Sequence, residues 1–232
     1  MIMEATLREG LSGLQLPLDD GRIATLCEFG RGVVRQNEVM NLTAITEPQK
    51  VARLHLLDSL TPITLVPLEN KTLIDVGCGA GFPGVPLKIA CPTLKLTLLD
   101  SLGKRMTWLE GYLPTRGVTA RTVTARAEEA VTQYREQFDY ATSRAVARLN
   151  ILLELTAPYV KVGGAVLALK GMAAREELEE AKNAISRLGL KVEKIQEFPI
   201  EDTAHAVIVL RKVRPTPPQY PRRYAQIKKS PL

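Results

Sequence analysis

Leu73-Ile74-Asp75-Val76-Gly77-Cys78-Gly79-Ala80-Gly81-Phe82-Pro83-Gly84 is the stretch on which the fold of this 232-residue chain turns. An apolar run, Leu73 to Val76, breaks into four glycines within eight residues, and Val85, Leu87 and Ile89 continue in a segment that can be helical. A buried strand, a tight glycine turn and a helix together open a nucleotide-type binding site. Glycine is needed there because the backbone must take a positive φ or let a ligand approach too closely for a Cβ. Pro83 suits the first turn of the helix, where its missing N–H is harmless.

Two ligand classes use such a loop. Gly79-x-Gly81-x-x-Gly84 matches the dinucleotide fingerprint, but a lone match is weak, and this one starts at the second glycine of the turn. Asp75 stands at the strand end, where a carboxylate repels a pyrophosphate and attracts an ammonium or a sulfonium. Asp75-x-Gly77-x-Gly79-x-Gly81 therefore resembles the first motif of S-adenosylmethionine (SAM) methyltransferases. An NAD-binding oxidoreductase-like protein is the alternative, and a non-catalytic RNA-binding protein on a SAM fold is a third reading. A tight turn with no ligand does not account for so many glycines together.

Composition narrows the classes further. Hydrophobic residues make up 45% of the chain, enough for a sizeable core, and aromatics only 5%, which argues against an aromatic base-stacking sheet as the main binding surface. The first ten residues carry no signal-peptide pattern, and no apolar stretch is long enough to span a bilayer. Cys27, Cys78 and Cys91 form no Cys-x-x-Cys pair, so a reducing, cytoplasmic compartment is expected, with no zinc site or disulfide framework. The net charge is +6, and its location matters more than its size. Residues 1–210 are nearly neutral, whereas 211–232 hold seven bases (Arg211, Lys212, Arg214, Arg222, Arg223, Lys228, Lys229) and no acid. A basic tail on a near-neutral body points to a polyanion, most simply nucleic acid; a solvated tail without a partner is the plainer reading.

The chain divides into an N-terminal helical subdomain (1–70), a nucleotide-fold domain (71–212) and a basic proline-rich tail (213–232). Ile23, Leu26, Cys27, Gly30, Val33 and Val34 keep a helical stripe, with Asp19 and Asp20 at its start. Glu47-Pro48 opens another helix, which carries Val51, Leu54, His55, Asp58 and Ser59. His55 and Asp58, three apart on one face, could form a local polar pair or approach the active site; the structural reading is the plainer one, and they are kept out of catalysis. Strands are expected at 72–76, 94–99, 119–124, 137–142, 162–169, 190–198 and 205–212, with helical segments between most of them. This is an α/β class fold: a mostly parallel, Rossmann-like seven-stranded sheet with helices on both faces and an N-terminal helical extension. Phe198 to Ala204 reads as a loop joining a terminal hairpin, and regular structure is expected to end after Val213, among Pro215, Pro217, Pro218 and Pro221.

In an open parallel sheet, ligands bind at the carboxyl ends of strands. Asp100 ends the second strand and can accept hydrogen bonds from ribose hydroxyls, although Asp100 or Ser101 could equally cap the helix from Leu102 onward. Ala127 and Glu128 follow the third strand, where an adenine would lie; Glu128 is also simply a first-turn carboxylate, as is Glu129. Ser143-Arg144-Ala145 follows the fourth, at the end facing methyl donor and acceptor. Neither the Asp/Asn-Pro-Pro-Tyr/Phe motif of amine methylation nor the Pro-Cys of carbon-5 pyrimidine enzymes stands there. An arginine fits an acceptor that needs no deprotonation, such as guanine N7, with Arg144 holding SAM, O6 or a phosphate; a surface ion pair is the plainer reading. No general base and no metal is expected. Lys170-Gly171 ends the fifth strand and is a weak RNA-contact candidate.

Asn41-Leu42-Thr43-Ala44-Ile45, His55-Leu56-Leu57-Asp58-Ser59-Leu60, Asp75 to Gly84, Leu99-Asp100-Ser101, Ser143-Arg144-Ala145 and Leu169-Lys170-Gly171 together resemble the bacterial RsmG (GidB) family of 16S rRNA guanine-N7 methyltransferases. That family more often has leucine or isoleucine where Phe82 stands. The resemblance implies a class I SAM-dependent methyltransferase that contacts SAM at Gly77, Phe82, Ala127, Glu128 and Arg144 and acts on a guanine in the 530 loop of 16S rRNA. With Asp75, Gly79, Asp100, Ser101 and Leu102 added, these are the candidate cofactor residues; Lys170, Arg222, Arg223, Lys228 and Lys229 are the candidate RNA contacts. A monomer acting on 16S rRNA or the small ribosomal subunit, with no membrane partner, is expected.

Overall fold

A computed structural model describes residues 1–200 and 203–232. The strands are β1 (Thr72–Val76), β2 (Lys95–Asp100), β3 (Arg121–Thr124), β4 (Phe138–Arg144), β5 (Val160–Lys170), β6 (Leu190–Ile200) and β7 (Thr203–Lys212). They form one seven-stranded sheet in the order β3-β2-β1-β4-β5-β7-β6. β1 to β5 pair in parallel, and β7 runs antiparallel between β5 and β6. Every expected strand is present, within a few residues at its ends. The hairpin reaches further than expected: Phe198 pairs with His205 and Ile200 with Thr203. Glu201 and Asp202 of the expected loop lie outside the described residues.

Side-chain alternation divides the core into two layers. Leu73, Leu96, Leu98, Leu167, Leu169, Val207 and Val209 point to one face, where they meet Leu26, Phe29, Leu56 and Leu60 from the N-terminal helices. Ile74, Val76, Ala141, Val166, Ala168, Ile208 and Leu210 point to the other, against Leu149, Leu152, Leu153, Ala181 and Leu188. The first 70 residues therefore cover one face of the sheet and share its core. Their long helix, Asp20–Met40, starts where Asp19 accepts a hydrogen bond from the Arg22 amide at 2.9 Å, and stops at Asn41, whose φ of 50° no helix continues.

The segment after Pro48 departs from a plain helix. Pro48–Lys50 and Asp58–Leu60 are α-helical, but Val51–Leu57 between them forms a wide π-helical turn, and Thr61–Thr64 tightens to 3-10. π-Helical turns are uncommon and recur at functional sites. This one carries Leu54 and His55.

The tail also departs from expectation. It packs along the body and ends in a short helix, Tyr224–Lys229, with Tyr220 and Ile227 buried. The Val213 and Arg214 amides donate to the Gly189 carbonyl at 2.8 and 3.2 Å. Gly189 holds a φ of 73°, and a Cβ there would lie 2.4 Å from the Arg214 oxygen. Lys212 is fully buried; its ammonium donates to Ala157 O, Val160 O and Thr216 Oγ1 and pairs with Glu136 at 3.2 Å. Burial lowers its pKa, opposed by the Glu136 charge.

Candidate functional site

The chain runs outward from β1 to β3, then returns to the opposite side of β1 as β4, so the sheet reverses direction between β1 and β4. A crevice opens at such a switch point. Here it is a cavity of about 620 Å³, within the usual range for a small-molecule site.

The glycine loop forms one side. The Gly77 and Cys78 amides donate to the Leu99 carbonyl at 2.8 and 3.2 Å, which ties the loop to β2. Gly77 takes a φ of 71°, and a Cβ on it would lie 2.5 Å from Val146 Cγ2, so the loop and the chain after β4 close on each other only because this residue is glycine. The Gly79 amide donates to Asp100 Oδ2 at 2.9 Å, and the Leu102 amide donates to Asp100 Oδ1 at 2.9 Å. An ionised carboxylate has about four acceptor positions. Asp100 thus serves the local turn and still has capacity for ribose hydroxyls.

Gly77, Gly79, Phe82, Asp100, Ser101, Leu102, Ala127, Glu128 and Arg144 all line this cavity. Asp75 does not. Its carboxylate is fully buried beneath the loop, where Oδ2 accepts from the Gly84 amide at 2.7 Å and Oδ1 has no partner among the described residues. Inside the loop it ties the start of the helix Gly84–Ala90 to β1. Gly81 and Gly84 face the interior too. A Cβ on Gly81 would meet Val85, Leu109 and Phe29, and one on Gly84 would meet Asp75. The dinucleotide-like spacing is therefore a product of packing. Cys78 is buried against Met106, and burial pushes its thiol pKa well up, so it is no thiolate nucleophile.

Burial raises the Asp75 pKa to about 7, against the pull of the Gly84 amide and the Arg144 charge. The folded chain thus keeps a proton on Asp75 that the unfolded chain releases near 3.8, so this group makes stability fall as pH rises between those values. His55 acts oppositely. Its pKa falls from 6.5 to about 4, so the folded chain binds fewer protons in that window and stability rises with pH. Asp75→Asn should remove the first contribution alone. Calorimetric melting is expected to show the variant gaining on the wild type as pH goes from about 5 to about 8; parallel melting curves would contradict the assignment.

Arg144 sits where this cavity meets a second, of about 640 Å³, lined by Leu54, Asp58, Arg148, Lys170, Glu177 and His205 among others. His55, Arg144, Ala145 and Val146 line both. Arg144 donates through Nη1 to Leu54 O and Asp58 Oδ2, both at 2.8 Å, and through Nη2 to His55 Nδ1 at 3.2 Å. Its guanidinium lies over the Phe82 ring at 5.2 Å, and His55 stacks on the same ring at 4.7 Å. A guanidinium has only donors, so His55 Nδ1 must be the acceptor. The proton then sits on Nε2, which donates to Thr43 Oγ1 at 2.7 Å. Burial first, then the Arg144 charge, holds this imidazole neutral. Asp58 accepts from His205 Nδ1 at 2.9 Å through its other oxygen. Burial opposes its ionisation, but the His205 bond and Arg144 outweigh it and keep the Asp58 pKa below its usual value. Ala145, next in the chain, holds a left-handed φ of 56°, strain of the kind that collects at functional sites.

His55 and Asp58, kept out of catalysis in the sequence reading, are thus part of this cluster. His205 and Tyr224 were not foreseen at all; Tyr224 lines the first cavity from the tail. Two of the candidate RNA contacts are engaged within the chain. Lys170 pairs with Glu177 at 2.7 Å, with both side chains largely buried, and donates to Ala147 O. Arg222 pairs with the fully buried Glu154 at 2.6 Å. Arg223, Lys228 and Lys229 stay exposed. Arg223 and Lys228 line a third cavity beside the first, with Arg126, Glu128, Glu129 and Tyr224.

Residues 22–206 match the family described as rRNA small subunit methyltransferase G. A relative named ribosomal RNA small subunit methyltransferase G from Alkaliphilus metalliredigens is 44% identical over 232 residues, covering 97% of each chain. One of the same name from Acetivibrio thermocellus is 43% identical, covering 97% of this chain and 95% of its own. Among solved structures, M. jannaschii TYW2 in complex with AdoMet aligns with a TM-score of 0.56 at 13% identity, over 68% of this chain and 76% of that one. Precorrin-6y C5,15-methyltransferase from Geobacter metallireducens aligns at 0.52 and 14% identity, over 75% and 92%. At such identities the two structures speak for the fold alone. Family and fold agree with the loop, the switch-point cavity and the arginine beside it: the chain belongs to the rRNA small subunit methyltransferase G family and is a SAM-dependent rRNA methyltransferase.

Proposed function

We propose that this enzyme methylates N7 of a guanine in the 530 loop of 16S rRNA, with the first cavity holding SAM and the second admitting the base. The observation that carries this reading is the chemistry of the junction. The two groups bonded to Arg144, His55 and Asp58, are both poor proton acceptors: one is held neutral with a pKa near 4, the other is an ion-paired carboxylate below its usual pKa. Methylation of an exocyclic amine requires a proton to leave. Guanine N7 carries a free lone pair and loses no proton, so it suits a site built to orient rather than to deprotonate.

When bound, SAM supplies a methyl group activated on a sulfonium. In this reading Asp100 accepts the ribose hydroxyls, Ala127 and Glu128 border the adenine, and Gly77 and Gly79 let the ligand lie against backbone. Phe82 and Arg144 border the methyl end, with Arg144 locked in place by four contacts. Arg223, Lys228 and Lys229 lie exposed on the tail and are available to RNA phosphates. Small subunits rebuilt with 16S rRNA containing 7-deazaguanosine, which has C–H in place of N7, test the reading. They are expected to accept no methyl group while subunits with ordinary guanosine do; equal transfer to both would overturn it.

A further inference from the structure

The C-terminal segment reaches the first cavity with one aromatic side chain. Tyr224 is half-buried and lines that cavity together with Arg126, Ala127, Glu128 and Leu155. The chain on either side of it is pinned. Before it, the Arg222 amide, Nε and Nη2 all donate to the buried Glu154 carboxylate, at 2.8, 2.8 and 2.6 Å. After it, Ile227 is completely buried. Glu154 directly precedes Leu155 in the helix Leu149–Thr156, so one helix both anchors the tail and walls the cavity. The Tyr220 carbonyl accepts from Arg135 as well, which fixes the approach to this point. A ring held by such anchors loses little freedom when a flat ligand packs on it.

We propose that Tyr224 is an adenine-binding residue, so that the tail completes the cofactor site in addition to any contact with RNA. Tyr224 also lines the third cavity with Arg126, Glu128 and Glu129, a lining that does not include Arg144 or Phe82, so it stands on the Glu128 side of the site, where a purine would lie. The inference rests on the reading of the first cavity as the SAM site.

Titration calorimetry of the full chain with S-adenosylhomocysteine, and with adenosine alone, tests it. Tyr224→Ala and Tyr224→Leu are each expected to weaken both ligands by roughly tenfold, the scale of a lost base–aromatic stack. Tyr224→Phe should bind within about twofold of the wild type, since the ring face is what matters. At saturating RNA, KM for SAM should rise in the Ala and Leu variants with kcat unchanged. Melting curves without ligand show whether each variant is folded, and Leu keeps the bulk should Ala not fold. Wild-type affinity in a folded Leu or Ala variant would overturn the inference, as would a change confined to RNA affinity. Failure of the wild type itself to bind S-adenosylhomocysteine would instead bring down the reading of the cavity, and the inference with it.

Discussion

Arg144→Lys is expected to slow methyl transfer by about 10²-fold at saturating SAM and RNA, the usual cost of misplacing a reacting group by about 1 Å. The charge is kept, so the loss would report geometry. Arg144 bridges the Leu54 carbonyl, Asp58 and His55 while its flat face covers Phe82. An ammonium has no flat face and no fixed fork, so lysine cannot hold these partners together. His55, Phe82 and Asp58 would then lose their common reference, and the junction between the two cavities would loosen. Single-turnover rates with thermal melts alongside check this: a folded variant with a rate within about threefold of the wild type would show that Arg144 does not organise the junction.

Arg222→Ala should be the most destabilising single change in the tail. It leaves the Glu154 carboxylate fully buried and without its cation. Breaking one side of a buried ion pair costs about 3–5 kcal/mol. For a chain of this size that corresponds to a fall in Tm of roughly 10 °C. Replacing both partners with apolar residues, as in Arg222→Met with Glu154→Leu, should cost less than Arg222→Ala alone, because no orphan charge remains. Scanning calorimetry on the three proteins decides it. A single-variant shift below about 2 °C would mean that the tail is not fastened through this pair.

The sheet was legible because its strands are short apolar runs bounded by turn residues, and the parallel order follows from helices between them. The cavity was legible because strand ends define it: Asp100 and Arg144 end strands, Ala127 and Glu128 follow one, and all reach the same space. The burial of Asp75 was not legible because proximity in sequence does not say on which side of the loop a side chain falls; its Oδ2 accepts from Gly84 beneath the loop. The tail was misread for a different reason. A run of bases with no nearby acid looks solvated, yet the acids that hold it are distant: Glu154 lies 68 residues before Arg222, and Glu136 is 80 before Thr216. The Arg144 cluster draws on residues 54, 55, 58, 144 and 205, brought together only by the fold. The π-helical turn at Val51–Leu57 left no trace in the pattern either, since its residues still suit an ordinary amphipathic helix.

The proposed transfer, from SAM to N7 of a guanine in the 530 loop, leaves a chemical trace in the RNA. N7-methylguanosine, once reduced with borohydride, lets aniline cleave the RNA strand at that nucleotide, and primer extension then locates the break. After incubation of the enzyme with labelled SAM and small subunits lacking the modification, one new break is expected, at a 530-loop guanine, in step with the label incorporated. Incorporated label with no such break, or a break elsewhere in 16S rRNA, would contradict it.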